Sequence, residues 1–286
     1  MSPIVHGVES GRCACVSSTR LRTVLSTLLV SLMLTAAGCA TTVRRPIQLD
    51  AWGRGDDAEL ERFLLQAEIV ETKRIRTGVT SPKKVLLRRR EQTGAAVWKG
   101  VDKQYARRDV ASERLDDLFF SDKWHYEVAA YRFDRLIGLG CVPVTVIRDV
   151  HGEIGSLQAW VDNAISERNR VEKNIELEQP DEYHASLEQR QIFDALIYNV
   201  DRTQENILIT EPGSKMWLID HSRAFRLRPQ LPGEIVRDPP VISPSLRQRL
   251  AELDLETLTA ALERLLTRGQ IEAILARRDR LLALGR

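Results

Sequence analysis

Residues 194–225 read DALIYNVDRTQENILITEPGSKMWLIDHSRAF, and no other stretch limits the fold of this chain so tightly. An apolar helical run ends in a polar loop that contains Asp201 and Asn206. Two short apolar runs follow, 207–210 and 216–219, with a Glu-Pro-Gly-Ser turn between them, and the second run ends in Asp220. Such runs on either side of a Pro-Gly turn predict two strands. Any fold must accommodate helix, loop, strand, turn and strand in that order.

The polar residues in this stretch suggest a chemistry. An aspartate followed five residues later by an asparagine, then a strand ending in a second aspartate, can surround a metal-bound nucleotide. Asp201 would accept the proton of an attacking hydroxyl, while Asn206 and Asp220 would hold Mg²⁺ or Mn²⁺ against phosphates. Taken singly, each has a plainer reading. Asp201 reads as a turn or helix-capping aspartate, Arg202 beside it as a surface cation, and Asn206 as a turn cap. Asn206 nevertheless begins a strand, where asparagine is disfavoured. Asp220 follows Trp217-Leu218-Ile219, where a buried carboxylate is costly unless paired or metal-bound. Arg202 could keep Asp201 ionised or contact phosphate.

The N-terminal end carries a different signal. Arg12, Arg20 and Arg22 precede an apolar run over 24–37, which closes on Ala36-Ala37-Gly38-Cys39. A basic region, a short apolar region and small residues before a cleavage point describe a secretory signal peptide. The run is shorter than the ~20 residues that span a bilayer. Its end resembles the lipobox of bacterial lipoproteins, which implies cleavage before Cys39 and lipid on that cysteine. We therefore expect a signal peptide over 1–38 and a lipidated Cys39 with a polar tether over 39–58. The domain would face outside the cytoplasm, on the periplasmic or outer-membrane side of the envelope, held to the membrane by its lipid.

Without residues 1–38 the chain keeps 248 of its 286 residues and carries 39 basic against 39 acidic side chains. A neutral chain gives no support to nucleic-acid binding, which needs a basic face. Cys141 is then the one cysteine without lipid, so no intramolecular disulfide forms. His125, His151, His184 and His221 lack metal spacing, and no zinc site is expected. A nucleophilic-elbow motif and a Walker phosphate loop are both missing.

From about residue 59 the chain becomes periodic. We expect a short helix over 59–68, strands over 69–76, 84–90 and 95–101, and a charged loop over 102–122. A helix over 123–139 places Trp124, Val128, Tyr131 and Leu136 near helical spacing and closes at Gly138 and Gly140. A hairpin over 142–148 and 156–161 turns at His151-Gly152. Residues 162–181 are polar and show no period. A helix over 187–199 leads into the Asp201 loop. Three helices close the chain, over 245–253, 256–268 and 270–283, with Asp254 capping the second and Gly269 ending it. A strand-rich half with one helix thus precedes a helix-rich half. This is an α+β arrangement with a cleft between lobes, where ligands commonly bind.

A phosphoryl-transfer site also needs a cation on the phosphates and an anion to hold that cation. Lys99 closes the third strand and Glu127 lies on the next helix, the elements suited to those roles. The turn containing Gly78 could cover phosphates with backbone N–H groups, though it is no G-x-G-x-x-G loop.

Asn199-Val-Asp201-Arg202-x-x-x-Asn206 and Leu-Ile-Asp220-His-Ser-Arg-Ala-Phe225 together resemble the catalytic and metal-binding loops of atypical kinases. These are the phosphatidylinositol 3- and 4-kinases, the secretory-pathway protein kinases and a group of bacterial proteins with the same core. The resemblance spans about residues 68–285, and its specific part is 194–225. It implies a two-lobed kinase-like fold, a small β-rich N-lobe over 59–161 and a helical C-lobe over 162–286. It further implies Asp201 as base, Asn206 and Asp220 as metal ligands, Lys99 on the nucleotide phosphates and Glu127 paired with Lys99. The cofactors implied are Mg or Mn and ATP or another nucleoside triphosphate, the acceptor being a protein or small-molecule hydroxyl. Two departures stand out: Thr203 replaces a frequent His, and His221-Ser222 replaces the usual Phe-Gly. Two other readings stay open: a kinase-like scaffold without turnover, and a domain whose leader is not processed.

Overall fold

In the computed structural model the described residues are 57–75, 81–104, 121–210 and 215–284. The expectations for the leader, Cys39, the tether and Gly78 fall outside them.

Helix α1 (Asp57–Gln66) opens with Asp57 and Glu59 in its first turn, where acidic side chains complement the helix dipole. It buries Leu60, Phe63 and Leu64 against the sheet behind it. That sheet is antiparallel and contains β1 (Glu68–Arg74), β2 (Lys83–Arg89), β3 (Gln92–Lys99), β6 (Thr145–Val150) and β7 (Glu153–Ala159). Its strand order is β1-β2-β3-β7-β6. Alternation fixes the register: Val85, Leu87, Ala96, Trp98 and Leu157 point to one face and are buried, with Trp98 opposite Leu157 and Lys99 opposite Ser156.

Helix α2 (His125–Ile137) lies against this sheet and is buried on most sides, which explains its dense run of apolar residues and alanines. It stops at Gly138, whose φ of 68° closes the last turn through bonds to the Asp134 and Arg135 carbonyls. Asp134, fully buried, takes the backbone N–H groups of Cys141 and Val142 and ties down the exit from the helix. Two short strands, β4 (Asp102–Gln104) and β5 (Ser121–Lys123), pair just before α2. Lys123 N–H donates to the Ser222 carbonyl at 2.8 Å, so β5 touches the segment after Asp220.

The second half is mostly helical. A small sheet of β8 (Ala164–Ser166), β9 (Ile207–Thr210) and β10 (Met216–Leu218) runs in the order β10-β9-β8. Around it lie α3 (Glu167–Glu172), α4 (Pro180–Ile197), α5 (Gly233–Arg237), α6 (Pro244–Glu252), α7 (Leu255–Leu262) and α8 (Arg268–Leu284). Ser166, Ser243 and Asp254 each accept a backbone N–H at the start of a helix. Leu250, Leu258, Leu262, Ile271 and Ile274 fill the interface among the last three helices. Each fully buried aliphatic side chain contributes about 1.5–3 kcal/mol. Arg277 of α8 is wholly buried and donates to the Leu196 carbonyl at 2.8 Å and the Arg226 carbonyl at 3.2 Å. Burial pulls its proton affinity below the usual guanidinium value.

The α+β, two-lobed expectation holds, and several local expectations change. The segment 162–181 contains β8 and α3, and α4 starts at Pro180 rather than at 187. Its first turns are mostly exposed, so no apolar period announces them. Residues 102–122 are not loop throughout, since both ends are strand. Helix α7 ends at Leu262, and Gly269 lies inside the first turn of α8 rather than closing α7. The turn between them buries Leu265 and Leu266, which mimics continued helical periodicity.

Candidate active site

The β9–β10 hairpin assembles the centre of the site. Its register pairs Ile207 with Leu218, and Ile219 N–H donates to the Asn206 carbonyl at 3.1 Å. Asn206 and Asp220, fourteen residues apart in sequence, therefore lie side by side, with Asn206 Nδ2 3.5 Å from Asp220 Oδ2. Asp220 has a φ of 62°, in the left-handed region that non-glycine residues seldom occupy. Strain of that kind persists where the surroundings impose it.

Lys99 meets this pair from the other lobe. Its Nζ lies 2.6 Å from Glu127 Oε1 and 2.7 Å from Asp220 Oδ1. Lys99 is the last β3 residue paired with β7, opposite Ser156, and the next β7 position, Gly155, lies so close to it that only glycine fits. A Cβ at Gly155 would collide with the Lys99 carbonyl and the Trp98 ring. Glu127 is buried. Burial alone would raise its proton affinity, but Lys99 and His221 outweigh burial and hold it ionised, below the usual carboxylate range. The Lys99 ammonium is likewise opposed by burial and held by Glu127 and Asp220, so its pKa rises.

The residue after Asp220 completes the arrangement. The other oxygen of Glu127, Oε2, receives the His221 backbone N–H at 3.0 Å and faces the ring Nδ1 at 3.3 Å. Burial lowers the His221 pKa, and the nearby Arg202 charge lowers it further.

Asp201 sits in the loop after α4, partly exposed. Its partners are Arg223, whose Nη1 is 3.5 Å from Oδ2, and Arg226, whose Nη2 is 3.8 Å from Oδ1. Arg223 also places its Nε 3.1 Å from Oδ2 of Asp122, a buried residue of β5. The place beside Asp201 that the sequence suggests for Arg202 is taken instead by these two arginines. Arg202 turns inward, with Nη2 2.8 Å and Nε 3.1 Å from the two oxygens of Asp194 on α4. It also donates to the carbonyls of Asn206 and Ile219. It is a strut beneath the loop, and its burial leaves it no face toward a substrate. Arg202 would therefore neither touch phosphate nor pair with Asp201.

Several of these groups line a cavity of about 750 Å³, a volume suited to a nucleotide. Lys99, Asp201, Asn206, Asp220 and Arg223 supply polar lining, and Val97, Trp160, Val161, Leu208 and Ile219 supply apolar lining that can receive a flat ring. Gln158 also lines the cavity. Thr145 Oγ1 donates to the Pro143 carbonyl at 2.8 Å, so it can only accept from Gln158 Nε2, at 3.0 Å. The amide orientation is thereby set, and its carbonyl oxygen remains as an acceptor on the cavity wall.

The chemistry of the donors decides what ion suits the site. The Asn206 amide oxygen and the Asp220 carboxylate are hard oxygen ligands. Two of them suit Mg²⁺ or Mn²⁺, ions that keep waters and take phosphate oxygens for the rest. Among the described residues no group of three His, Cys, Asp or Glu forms an all-protein metal cage.

Asp122, Arg223, Arg226 and Gln158 were not singled out by sequence reasoning. Arg223 stands inside the motif that carries the resemblance, so its position was available as a signal. Asp122 and Gln158 carry no signal in a single sequence.

No protein-family model matches the sequence, and no curated protein matches it. Solved structures do resemble it. The chain aligns with the Golgi casein kinase at a TM-score of 0.54 and 16% identity, over 80% of this chain and 74% of that one. It aligns with Fam20 from hydra, solved with sugar, at a TM-score of 0.57 and 16% identity, over 79% and 87%. The Golgi casein kinase with Mn/ADP bound gives a TM-score of 0.52 at 16% identity, over 80% and 75%. The fold is therefore kinase-like, as the resemblance implied.

Proposed function

We propose that this protein is a kinase-like phosphotransferase that moves a phosphoryl group from a nucleoside triphosphate to a hydroxyl acceptor. One observation carries the reading: Lys99 joins Glu127 of the N-lobe to Asp220 beside Asn206, at the wall of a nucleotide-sized cavity. That the Golgi casein kinase has been solved with Mn/ADP bound supports the choice of ligands.

Lys99 would neutralise charge on the nucleotide phosphates, with Glu127 keeping the ammonium in place between turnovers. Asn206 and Asp220 would hold Mg²⁺ or Mn²⁺, which when bound shields the phosphate charge. Asp201 would accept the proton of the incoming hydroxyl, its carboxylate steadied by Arg223 and Arg226. The apolar lining would take the base. The acceptor is a hydroxyl on a protein or a small molecule.

We further propose that the domain works outside the cytoplasm, held to the envelope through lipid on Cys39. The support is the Ala36-Ala37-Gly38-Cys39 sequence behind its apolar run. Palmitate labelling that vanishes in Cys39→Ser fits this reading, and labelling that persists removes it.

The catalytic reading is tested by incubating the protein with Mn²⁺ and γ-labelled ATP and following label into protein and small-molecule hydroxyls. Asp201→Asn should lower transfer by roughly 10²–10⁴-fold while nucleotide affinity stays the same. Equal transfer by the variant would remove Asp201 from the reaction. No transfer by the wild type to any hydroxyl offered would count against turnover and favour a binding role.

A further inference from the structure

We propose that His221 is a positioning residue: its ring Nδ1–H fixes the Glu127 carboxylate in the orientation that holds Lys99. The consequence for nucleotide binding rests on the function proposed above, but the bond itself does not.

The two oxygens of Glu127 have separate duties. Oε1 meets Lys99 at 2.6 Å, and Oε2 meets His221 twice, through the backbone N–H at 3.0 Å and the ring Nδ1 at 3.3 Å. A carboxylate with 1% exposure needs its lone pairs filled, and Lys99 on one oxygen with one backbone bond on the other leaves a lone pair of Oε2 open. The ring contact fills that lone pair and adds a second hold on the oxygen. A carboxylate oxygen only accepts, so Nδ1 carries a proton. Nε2 is buried with no hydrogen-bond partner, so a single ring proton belongs on Nδ1. The ring is also fixed sideways, edge-on to Phe193 with centroids 5.8 Å apart at 88°.

A phenylalanine would fill the same space and make the same aromatic contact, but it would offer Glu127 no donor. What histidine adds here is one N–H aimed at Oε2. His221 does not touch the cavity, so it acts on the nucleotide only through Glu127 and Lys99.

The test uses the full chain and two readouts. The first is the ¹⁵N–¹H long-range spectrum of the histidine rings, in which the signal lost in His221→Asn is that of His221. A ring with Nδ1 protonated is expected, and a ring protonated at Nε2 alone overturns the proposal. The second is affinity for Mn-ATP. His221→Phe should weaken it by about tenfold, the scale of one lost bond to a buried charge. His221→Asn, whose amide can present an N–H to the same oxygen, should stay within about threefold of wild type. In a Glu127→Gln background the Phe substitution should add little, because both act on one contact. Full affinity in folded His221→Phe, or effects that add in the double variant, overturns the proposal. If the wild type binds no nucleotide, the proposed function falls, and the ring spectrum still decides whether this bond exists.

Discussion

Lys99 and Glu127 stand 2.6 Å apart across the N-lobe, the lysine at the end of β3 and the glutamate in the first turn of α2. Their pKa values move in opposite directions, which makes the pair measurable through pH. Glu127 is held below its ordinary 4.5 and Lys99 above its ordinary 10.5. A carboxylate depressed by folding gives stability that is whole above 4.5 and fades as pH falls toward the folded value. A raised lysine gives stability that is whole below 10.5 and fades as pH climbs toward the folded value. Lys99→Met should therefore cost about 3 kcal/mol at neutral pH, since it strands a buried carboxylate. The gap from wild type should narrow as the medium is acidified: burial raises the proton affinity of the stranded carboxylate, so it takes a proton above pH 4.5, and the wild-type pair loses its own stabilisation below that pH. Calorimetry across the acid range reads this, and a gap independent of pH contradicts it.

Arg202 is adjacent to Asp201, yet it serves the scaffold. Arg202→Ala should destabilise the protein by about 3 kcal/mol, leaving the Asp194 carboxylate buried and the loop carbonyls open. Arg202→Lys should recover little of this, because one ammonium cannot span two carboxylate oxygens and two carbonyls. Urea unfolding is the measurement. A loss below about 1 kcal/mol would deny the strut.

Arg223 bridges Asp122 and Asp201, so β5 has a hold on the proposed base. Asp122→Asn and Arg223→Gln should each lower kcat by roughly 10- to 100-fold through misplacement of Asp201, with nucleotide affinity unchanged. The double variant should be scarcely worse than either single one. Independent, multiplying effects would show that Asp122 does not act through Arg223.

Gln158 leaves a carbonyl acceptor on the cavity wall. Such a group favours a base with an exocyclic amine over one with a ketone in that place. Gln158→Met, close in size, should reduce preference for ATP over inosine triphosphate by about tenfold in a titration. Unchanged preference would mean that the base lies elsewhere.

How much of this was legible in the sequence differs by element. β9 and β10 were readable because their apolar runs are bounded by a Pro-Gly turn and polar loops. Asn206 and Asp220 came with them, since hairpin ends fix their own neighbours. Lys99 and Glu127 were readable as candidates because one ends a strand and the other starts a helix. Arg202 was misleading: adjacency in sequence suggested Asp201, whereas α4 brings Asp194 underneath and captures the guanidinium. Asp122 could not be found, because its value lies in a contact with Arg223, 101 residues away. The first turns of α4 were hidden because a solvated helix start has no apolar period. Gly269 misled because Leu265 and Leu266 continue an apolar pattern through a turn.

The central claim is that Asn206 and Asp220, joined by Lys99, hold a metal-bound nucleotide. The most direct measurement is the melting temperature with Mn²⁺ and ATP together, each alone, and neither, for wild type and Asp220→Ala. At a hundredfold excess over Kd, binding adds about 2.7 kcal/mol, enough to raise the melting temperature by several degrees. The account predicts that rise for the wild type only when both are present, and none for Asp220→Ala. A wild type that ignores Mn-ATP, or a variant that responds equally, would contradict it.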